Sequence, residues 1–172
     1  MSADRPTPGS ADGGGLFEVH LVGLPIWTYR EAAEHSDELQ REFRLIANQA
    51  ADGGDPDVPA RLLALIDDLN SRFGSFGAGP QARLDAALDA GDDRIDLTYV
   101  VPVEVVAAAD QLEVLLEEAD EYCRAGQQLL TLATPPHTLA FRRWFLGEFR
   151  RQHDGASPTP WSEPETAEQR VG

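Results

Sequence analysis

The stretch TPPHTLAFRRWFLGEFRR, residues 134–151, differs in charge from the rest of the chain. It holds four arginines, four aromatic residues and one acid, whereas the chain of 172 residues has 30 acidic and 14 basic residues and a net charge of -16. A threonine followed by proline predicts a helix N-terminus, with Thr134 as N-cap and Pro135 as the first helical residue. Successive helical residues are about 100° apart, so Phe141, Phe145 and Phe149 share one face.

The apolar arc of this predicted helix is about 220° wide, which is too wide for a helix that only lies on the surface of a core. Arg142 falls inside the arc, and Arg143 falls at its polar margin. Because an unpaired buried charge is very costly, we expect Arg142 to pair with a carboxylate. Two sources are open: Asp96 near a strand end, or the acidic flank of the fourth predicted helix, which consists of Glu113, Glu117, Asp120 and Glu121.

The same arc supports a second interpretation, in which the helix presents arginines and aromatic rings to a partner protein. These residue types carry much of the binding energy in protein interfaces. The predicted partner-binding residues are Arg142, Trp144, Phe145, Phe149 and Arg150. Burial of the arc between two copies of the chain, in a homodimer, is a third interpretation.

Two segments alternate between apolar and polar residues and end in proline: LFEVHLVGLP, residues 16–25, and RIDLTYVVP, residues 94–102. Alternation of this kind predicts half-buried strands. Each strand has one apolar face to bury, so we expect the two to pair, in antiparallel orientation, and to lie on helices.

The rest of the chain has helical periodicity, which predicts a mainly α fold: a bundle of about five helices with a two-stranded β accessory, or an α+β fold. We expect a single domain over residues 16–153. Residues 1–15 and 154–172 are poor in periodic apolar residues, which predicts disordered tails. Trp161 is expected to be a mobile side chain of the second tail rather than one that docks on the domain or on a partner. The four further predicted helices run from Thr28 to Ala51, from Pro59 to Phe73, over residues 79–92, and from Val103 to Gly126.

Composition excludes several functional classes. No run of about 18 apolar residues is present, which argues against a membrane span, and the negative charge argues against nucleic-acid binding. The glycine-rich GSFGAGP, residues 74–80, has no following lysine and predicts a loop rather than a phosphate site. Cys123 lies on the apolar stripe of the fourth helix, so we expect it to be a core residue. We therefore expect a cytoplasmic protein without a cofactor, and a non-enzyme rather than an enzyme.

One alternative concerns the first predicted helix, where Glu31, His35 and Glu38 share a face. Carboxylate-bridged di-metal bundles use Glu-x-x-His motifs from two helices, whereas this chain has one His-x-x-Glu and no second copy. The face therefore has two interpretations. It is either a solvated acidic surface with Glu31–His35 and Glu38–Arg41 pairs, or a metal or small-ligand site in a bundle that could be an enzyme.

Several blocks resemble a family of small, uncharacterised actinobacterial proteins: AAEHSDELQREFRLIA (32–47), RIDLTYVVP (94–102), LLEEADEYCRAG (115–126) and LLTLATPPHTLAFRRWFLGEFRRQ (129–152). The resemblance covers most of residues 16–153. Proteins of this family are often encoded beside partner-switching regulators, which are anti-sigma-factor kinases, their antagonists and the matching phosphatases. The resemblance implies a regulatory or sensory protein-interaction module in bacterial signalling, acting on a protein partner such as a regulator of a sigma factor.

Overall fold

The computed structural model describes residues 15–49, 58–126 and 133–163. It is mainly α-helical with one two-stranded antiparallel sheet, as predicted. A short 3-10 turn, Gly74–Gly77, joins the second and third helices. In chain order the elements are β1 Leu16–Pro25, α1 Ile26–Gln49, α2 Val58–Phe73, α3 Ala78–Ala90, β2 Arg94–Pro102, α4 Glu104–Ala125 and α5 Pro136–His153.

The two strands pair in the predicted antiparallel orientation, from Leu16 opposite Pro102 to Pro25 opposite Arg94. Their inner face is apolar and buried. The register shifts between Leu21 and Leu24, where Gly23 adopts a positive φ of 65° that favours glycine. The Gly23 N–H donates to Asp96 Oδ1 at 2.7 Å. Asp96 therefore stabilises the irregularity in β1, and it is not the acid that pairs with Arg142.

Helices α1, α2, α4 and α5 form a ring in which each helix packs against the next and α5 closes on α1, while α3 lies on β2. The buried side chains divide into two clusters. The sheet core lies between the strands, α3 and α5, and its largest members include Leu21, Leu24, Leu97, Phe141 and Phe149. The helical core lies between α1, α2 and α4 and consists of Leu39, Phe43, Leu62, Leu115, Ala119 and Cys123.

Cys123 is a core residue, as predicted. Its side chain is fully buried in the helical core. Burial, together with the nearby negative charge of Asp120, raises the pKa of the Cys123 thiol to about 11. The thiol is therefore protonated at neutral pH and lacks the thiolate character on which cysteine reactivity depends.

The predicted N-cap of α5 is wrong. The helix begins at Pro136, and the residue before it, Pro135, has an extended ψ of 149°. A proline disfavours helical conformation in the residue that precedes it, so Pro136 keeps Pro135 out of the helix. Thr134 is then too far from the first turn to cap it, and its hydroxyl instead bonds to Asp120.

The prediction of a mobile Trp161 is also wrong. Residues 154–163 fold back onto the domain, and Trp161 is only 8 % exposed. Its backbone N–H donates to the Val22 carbonyl at 3.0 Å, on the edge of β1. Two residues earlier, Thr159 donates its N–H to the buried Glu148 carboxylate and accepts from Trp144 Nε1. The domain therefore extends past the predicted limit at residue 153, and residues 1–14 and 164–172 lie outside the described residues.

Candidate functional site

A hydrogen-bonded cluster joins α1, α4, α5 and the residues before α5. The Thr134 hydroxyl lies 2.6 Å from Asp120 Oδ1, and the Thr134 N–H donates to the same oxygen at 3.0 Å. Arg142 Nη2 donates to Asp120 Oδ2 at 2.8 Å, and its Nη1 donates to the Thr134 hydroxyl oxygen at 3.3 Å. His35 Nε2 completes the cluster at 3.2 Å from the same hydroxyl oxygen. We call these four side chains the Asp120 network.

The ion pair of this network is buried. The Arg142 side chain is 13 % exposed and that of Asp120 only 4 %. This confirms the prediction that Arg142 lies inside the protein and pairs with a carboxylate. Of the two sources left open, the acidic flank of α4 supplies it, through Asp120. Burial by itself would raise the pKa of Asp120, but hydrogen bonds from Thr134 and Arg142 outweigh it and hold that pKa below its usual range. Asp120 is therefore an ionised carboxylate at neutral pH.

The direction of each hydrogen bond follows from that ionised carboxylate. An ionised carboxylate only accepts, so the Thr134 hydroxyl must donate its single proton to Asp120. The hydroxyl oxygen then accepts from both Arg142 and His35, which makes His35 Nε2 a donor. Burial lowers the pKa of His35, against the opposing charge of Asp120 and Glu38, so the ring is neutral near pH 7. In this tautomer the second ring nitrogen, Nδ1, is an acceptor.

We expect acid to destabilise the wild type more than a His35→Gln variant, whose amide can still donate to Thr134. The folded state holds His35 neutral, so below about pH 6.5 the unfolded state takes up the proton first. The contribution of His35 to the free energy of unfolding is therefore complete above about pH 6.5. It is lost as the pH falls toward the lowered pKa that His35 has in the folded protein. Asp120 stays ionised in this window. Denaturant unfolding at about pH 7.5 and about pH 5 measures the difference, and equal losses in both proteins would contradict it.

A cavity of about 290 Å³ opens beside the network, between α1, α4 and α5. It lies between the two cores, because Leu39 of its wall belongs to the helical core and Phe141 to the sheet core. We call it the seam cavity. Ala33 lines it and is exposed, so the cavity reaches solvent there. The other apolar wall residues are Tyr29, Ala32, Leu112, Leu116, Phe145 and Leu146, and the polar ones are His35, Ser36, Thr134, Thr138 and Arg142.

Two of the three remaining arginines of α5 pair with the outer acids of α4, while Arg151 pairs with Glu148 of its own helix. Arg143 lies 2.8 Å from Glu117, and Arg150 lies 2.7 Å from Asp110 and 3.7 Å from Glu113. These pairs are about half exposed, apart from the less exposed Glu113, so each contributes roughly 0–1 kcal/mol. The basic helix is therefore the complement of an acidic face within the same chain, which is the first of the three interpretations of the segment.

The five predicted partner-binding residues do not form one open surface in the structure. Phe149 is buried, Phe145 lines the seam cavity and Arg142 belongs to the Asp120 network. Trp144 packs against Trp161, with ring centroids 5.4 Å apart. Arg150 is exposed and paired with α4. Partner binding by this set stays a prediction.

The three residues of the predicted metal face have different surroundings and do not converge on one point. Glu31 contacts His137 at 3.1 Å, His35 contacts Thr134, and Glu38 is exposed. The expected Glu31–His35 pair is thus replaced by contacts to α5 and to the segment before it. Over residues 15–49, 58–126 and 133–163, no three His, Cys, Asp or Glu side chains lie close enough to share a metal ion.

Sequence reasoning missed Thr134 and Thr138 as site residues and the aromatic wall of the cavity. Thr134 carries a strong local signal for a helix cap, which concealed its tertiary role. The walls come from α4 and α5 and from α1, which is far from both in the sequence, so their convergence has no local signature. Asp120, by contrast, was within reach of sequence reasoning, because it lies on the flank that faces an arginine on an apolar arc.

None of the helices in the described segments combines the length and the hydropathy of a segment that crosses a bilayer. Comparison of the chain with protein-family models, with curated proteins and with solved structures finds no match.

Proposed function

We propose that the protein is a non-enzymatic sensory module that binds a small, largely apolar molecule in the seam cavity. The observation that carries this proposal is the position of the cavity, between two separate cores and against a buried polar network. Its volume, about 290 Å³, is at the lower end of small-molecule pockets, which span roughly 300–1,000 Å³. Apolar walls with a few converging polar groups are typical of such pockets.

The energetics of packing support a ligand. Protein interiors are packed as densely as organic crystals, and unfilled volume costs stability because the wall atoms lose contacts. Here the gap lies between α1, α4 and α5, where Leu39, Leu112 and Leu116 line it together with Phe141 and Phe145. A bound molecule would restore those contacts and would touch three helices at once. Binding can therefore favour one arrangement of these helices, which is what a sensor requires.

The hydrogen-bond directions favour binding over catalysis. A nucleophile–base pair needs the histidine to accept the proton of the hydroxyl. In the Asp120 network Thr134 donates to Asp120, and His35 donates to Thr134, so His35 is not placed to activate that hydroxyl. His35, Thr134 and Arg142 hydrogen-bond within the Asp120 network, and all three line the cavity.

The output of the sensor would be a contact with a protein partner. The proposed partner class remains the regulators implied by the sequence resemblance, in partner-switching control of a sigma factor. Exposed apolar side chains offer such contacts, and the largest of them is Trp27, which is 63 % exposed. Large aromatic residues are enriched at the energetic centres of interfaces.

Blocking the cavity mouth tests the proposal. An Ala33→Trp variant should lose binding of toluene, a small apolar probe, because the indole would fill the opening. Ala86→Trp is the matched control. Ala86 is also an exposed helical alanine, but it lies on α3, which does not line the cavity. Both variants should keep wild-type stability within about 0.5 kcal/mol. Binding is followed by NMR titration. The proposal fails if the wild type binds no probe, or if Ala33→Trp binds it as the wild type does.

A further inference from the structure

A second cavity lies next to the seam cavity, between α2, α4 and α5. We call it the α2 cavity, and its volume is about 220 Å³. Within the described segments, the side chains that line it are apolar except for Asn70. Its apolar walls include Leu69, Phe73, Val105, Ala109 and Phe149. Unfilled apolar space of this kind favours an apolar occupant, because the wall atoms lack contacts.

The two cavities share a wall. Leu112, Phe145 and Leu146 line both of them, so at this wall the two spaces are no more than one residue apart. Leu112 packs against the helical core and Phe145 against the sheet core. Among the described residues, Leu146 is packed against neither cluster. It is therefore the least firmly held of the three.

A change of rotamer at Leu146 can open the wall. Its side chain is half-buried, and side chains outside a closely packed core change rotamer within picoseconds to nanoseconds. The staggered rotamers of a leucine place its methyl groups in different positions. An unbranched chain is one methylene wide and can pass through the space that Leu146 vacates. A ring is wider and would also have to displace Phe145 or Leu112, which the cores hold.

The two volumes set the length of such a chain. An engineered apolar cavity of about 150 Å³ holds benzene, which has six carbons. By that measure the seam cavity, of about 290 Å³, has room for roughly eleven carbons, and the α2 cavity, of about 220 Å³, for roughly nine. A chain that fills both is therefore longer than either cavity accepts alone.

We propose that the two cavities together hold one unbranched aliphatic chain of roughly 14–18 carbons, such as the acyl chain of a fatty acid or of a glycerolipid. The chain enters the seam cavity beside Ala33, passes Leu146 and ends in the α2 cavity. This inference rests on the proposed function, because it names the ligand class of the seam cavity.

The dependence of binding on chain length tests the proposal. Dissociation constants are measured by NMR titration for the saturated fatty acids from octanoate to hexadecanoate, which share one head group and differ only in the chain. In the wild type each added methylene should tighten binding about fourfold, and the gain should continue past dodecanoate. If the seam cavity holds the chain alone, the gain should end near dodecanoate, because longer chains then extend into water.

Filling the α2 cavity should shorten the longest chain that gains affinity. Ala109 lines the α2 cavity and not the seam cavity, so Ala109→Leu should weaken hexadecanoate binding about tenfold or more and leave octanoate within about twofold of the wild type. Gly74→Leu is a second block of the same cavity, and it should fold because a Cβ at Gly74 meets no atom within 4 Å. Ala107→Leu is the matched control, since Ala107 is an exposed alanine of α4 that lines neither cavity.

A comparison of tetradecanoate with its monoglyceride identifies the source of the chain. Tighter binding of the acid indicates a free fatty acid, and tighter binding of the monoglyceride indicates a glycerolipid. Equal affinities show that the chain itself is what the two cavities recognise.

The outcomes separate the two proposals. A wild-type gain that ends near dodecanoate, or hexadecanoate binding that is unchanged in both Ala109→Leu and Gly74→Leu, overturns the joined site. If toluene binds the wild type and not Ala33→Trp in those cases, the seam cavity remains a ligand site. If neither toluene nor any fatty acid binds the wild type, both proposals fail.

Discussion

Replacing Arg142 with alanine should lower the free energy of unfolding by roughly 3–5 kcal/mol, the usual cost of removing one partner from a buried ion pair. Arg142 donates to both Asp120 and Thr134, and its loss leaves the 4 % exposed Asp120 carboxylate without a counter-charge. Denaturant unfolding at neutral pH measures the effect. The expected loss is a large fraction of the stability of a typical domain.

Arg143→Ala is the matched control, since it removes the neighbouring arginine of the same helix. Its pair with Glu117 has side chains 55 % and 48 % exposed, so we expect a change within about 1 kcal/mol. An Asp120→Asn/Arg142→Ala double variant should recover part of the loss, because it no longer buries an unpaired charge. If Arg142→Ala and Arg143→Ala lower the free energy of unfolding by similarly small amounts, the Arg142 guanidinium reaches solvent through its extended aliphatic chain and is not a buried charge.

Replacing Trp161 with alanine should also cost roughly 3–5 kcal/mol, as for other buried tryptophans. The ring packs edge to face on Phe141 at 5.6 Å and Trp144 at 5.4 Å, and its removal opens the sheet core. Thermal or denaturant unfolding gives the change in stability. Limited proteolysis gives a second readout, because residues 154–163 should become cleavable once this anchor is lost.

Trp27→Ala is the control for Trp161. Trp27 is 63 % exposed and its ring contacts the guanidinium of Arg30 at 5.1 Å, so its removal should cost no more than about 1 kcal/mol. A Trp161→Phe variant should cost less than alanine, because phenylalanine keeps much of the packing and lacks the indole N–H, which has no partner in the described structure. A wild-type unfolding curve for Trp161→Ala would refute the anchoring role.

The secondary structure was predictable wherever local pattern and tertiary burial coincide. The alternation in residues 16–25 and 94–102 reflects one buried sheet face, and it predicted both the strands and their pairing. Helical phase alone placed Arg142 inside the bundle, because only a side chain on an apolar arc needs an internal acid. In both cases the pattern lies within a single strand or helix. The need for a partner follows from the free-energy cost of leaving the strand face uncovered or the buried charge unpaired.

The candidate site was only partly predictable. His35 was singled out for its spacing from Glu31 and Glu38, but its partner is Thr134, on a segment 99 residues away. The cavity walls come from α1, α4 and α5, so the cavity depends on how these helices cross. No residue spacing within one helix contains that information.

The sequence by itself determined the helices, the paired strands and the need for an acid beside Arg142, because periodicity and the cost of buried charge act over one or two elements. Only the tertiary structure decided which acid that is, where Trp161 lies and that a cavity separates two cores. Residues 154–163 have the composition of a tail, and they are held by contacts to Glu148, Trp144 and the edge of β1 that no local pattern encodes. Those contacts depend on distances between elements remote in the chain, which are set when the whole domain packs.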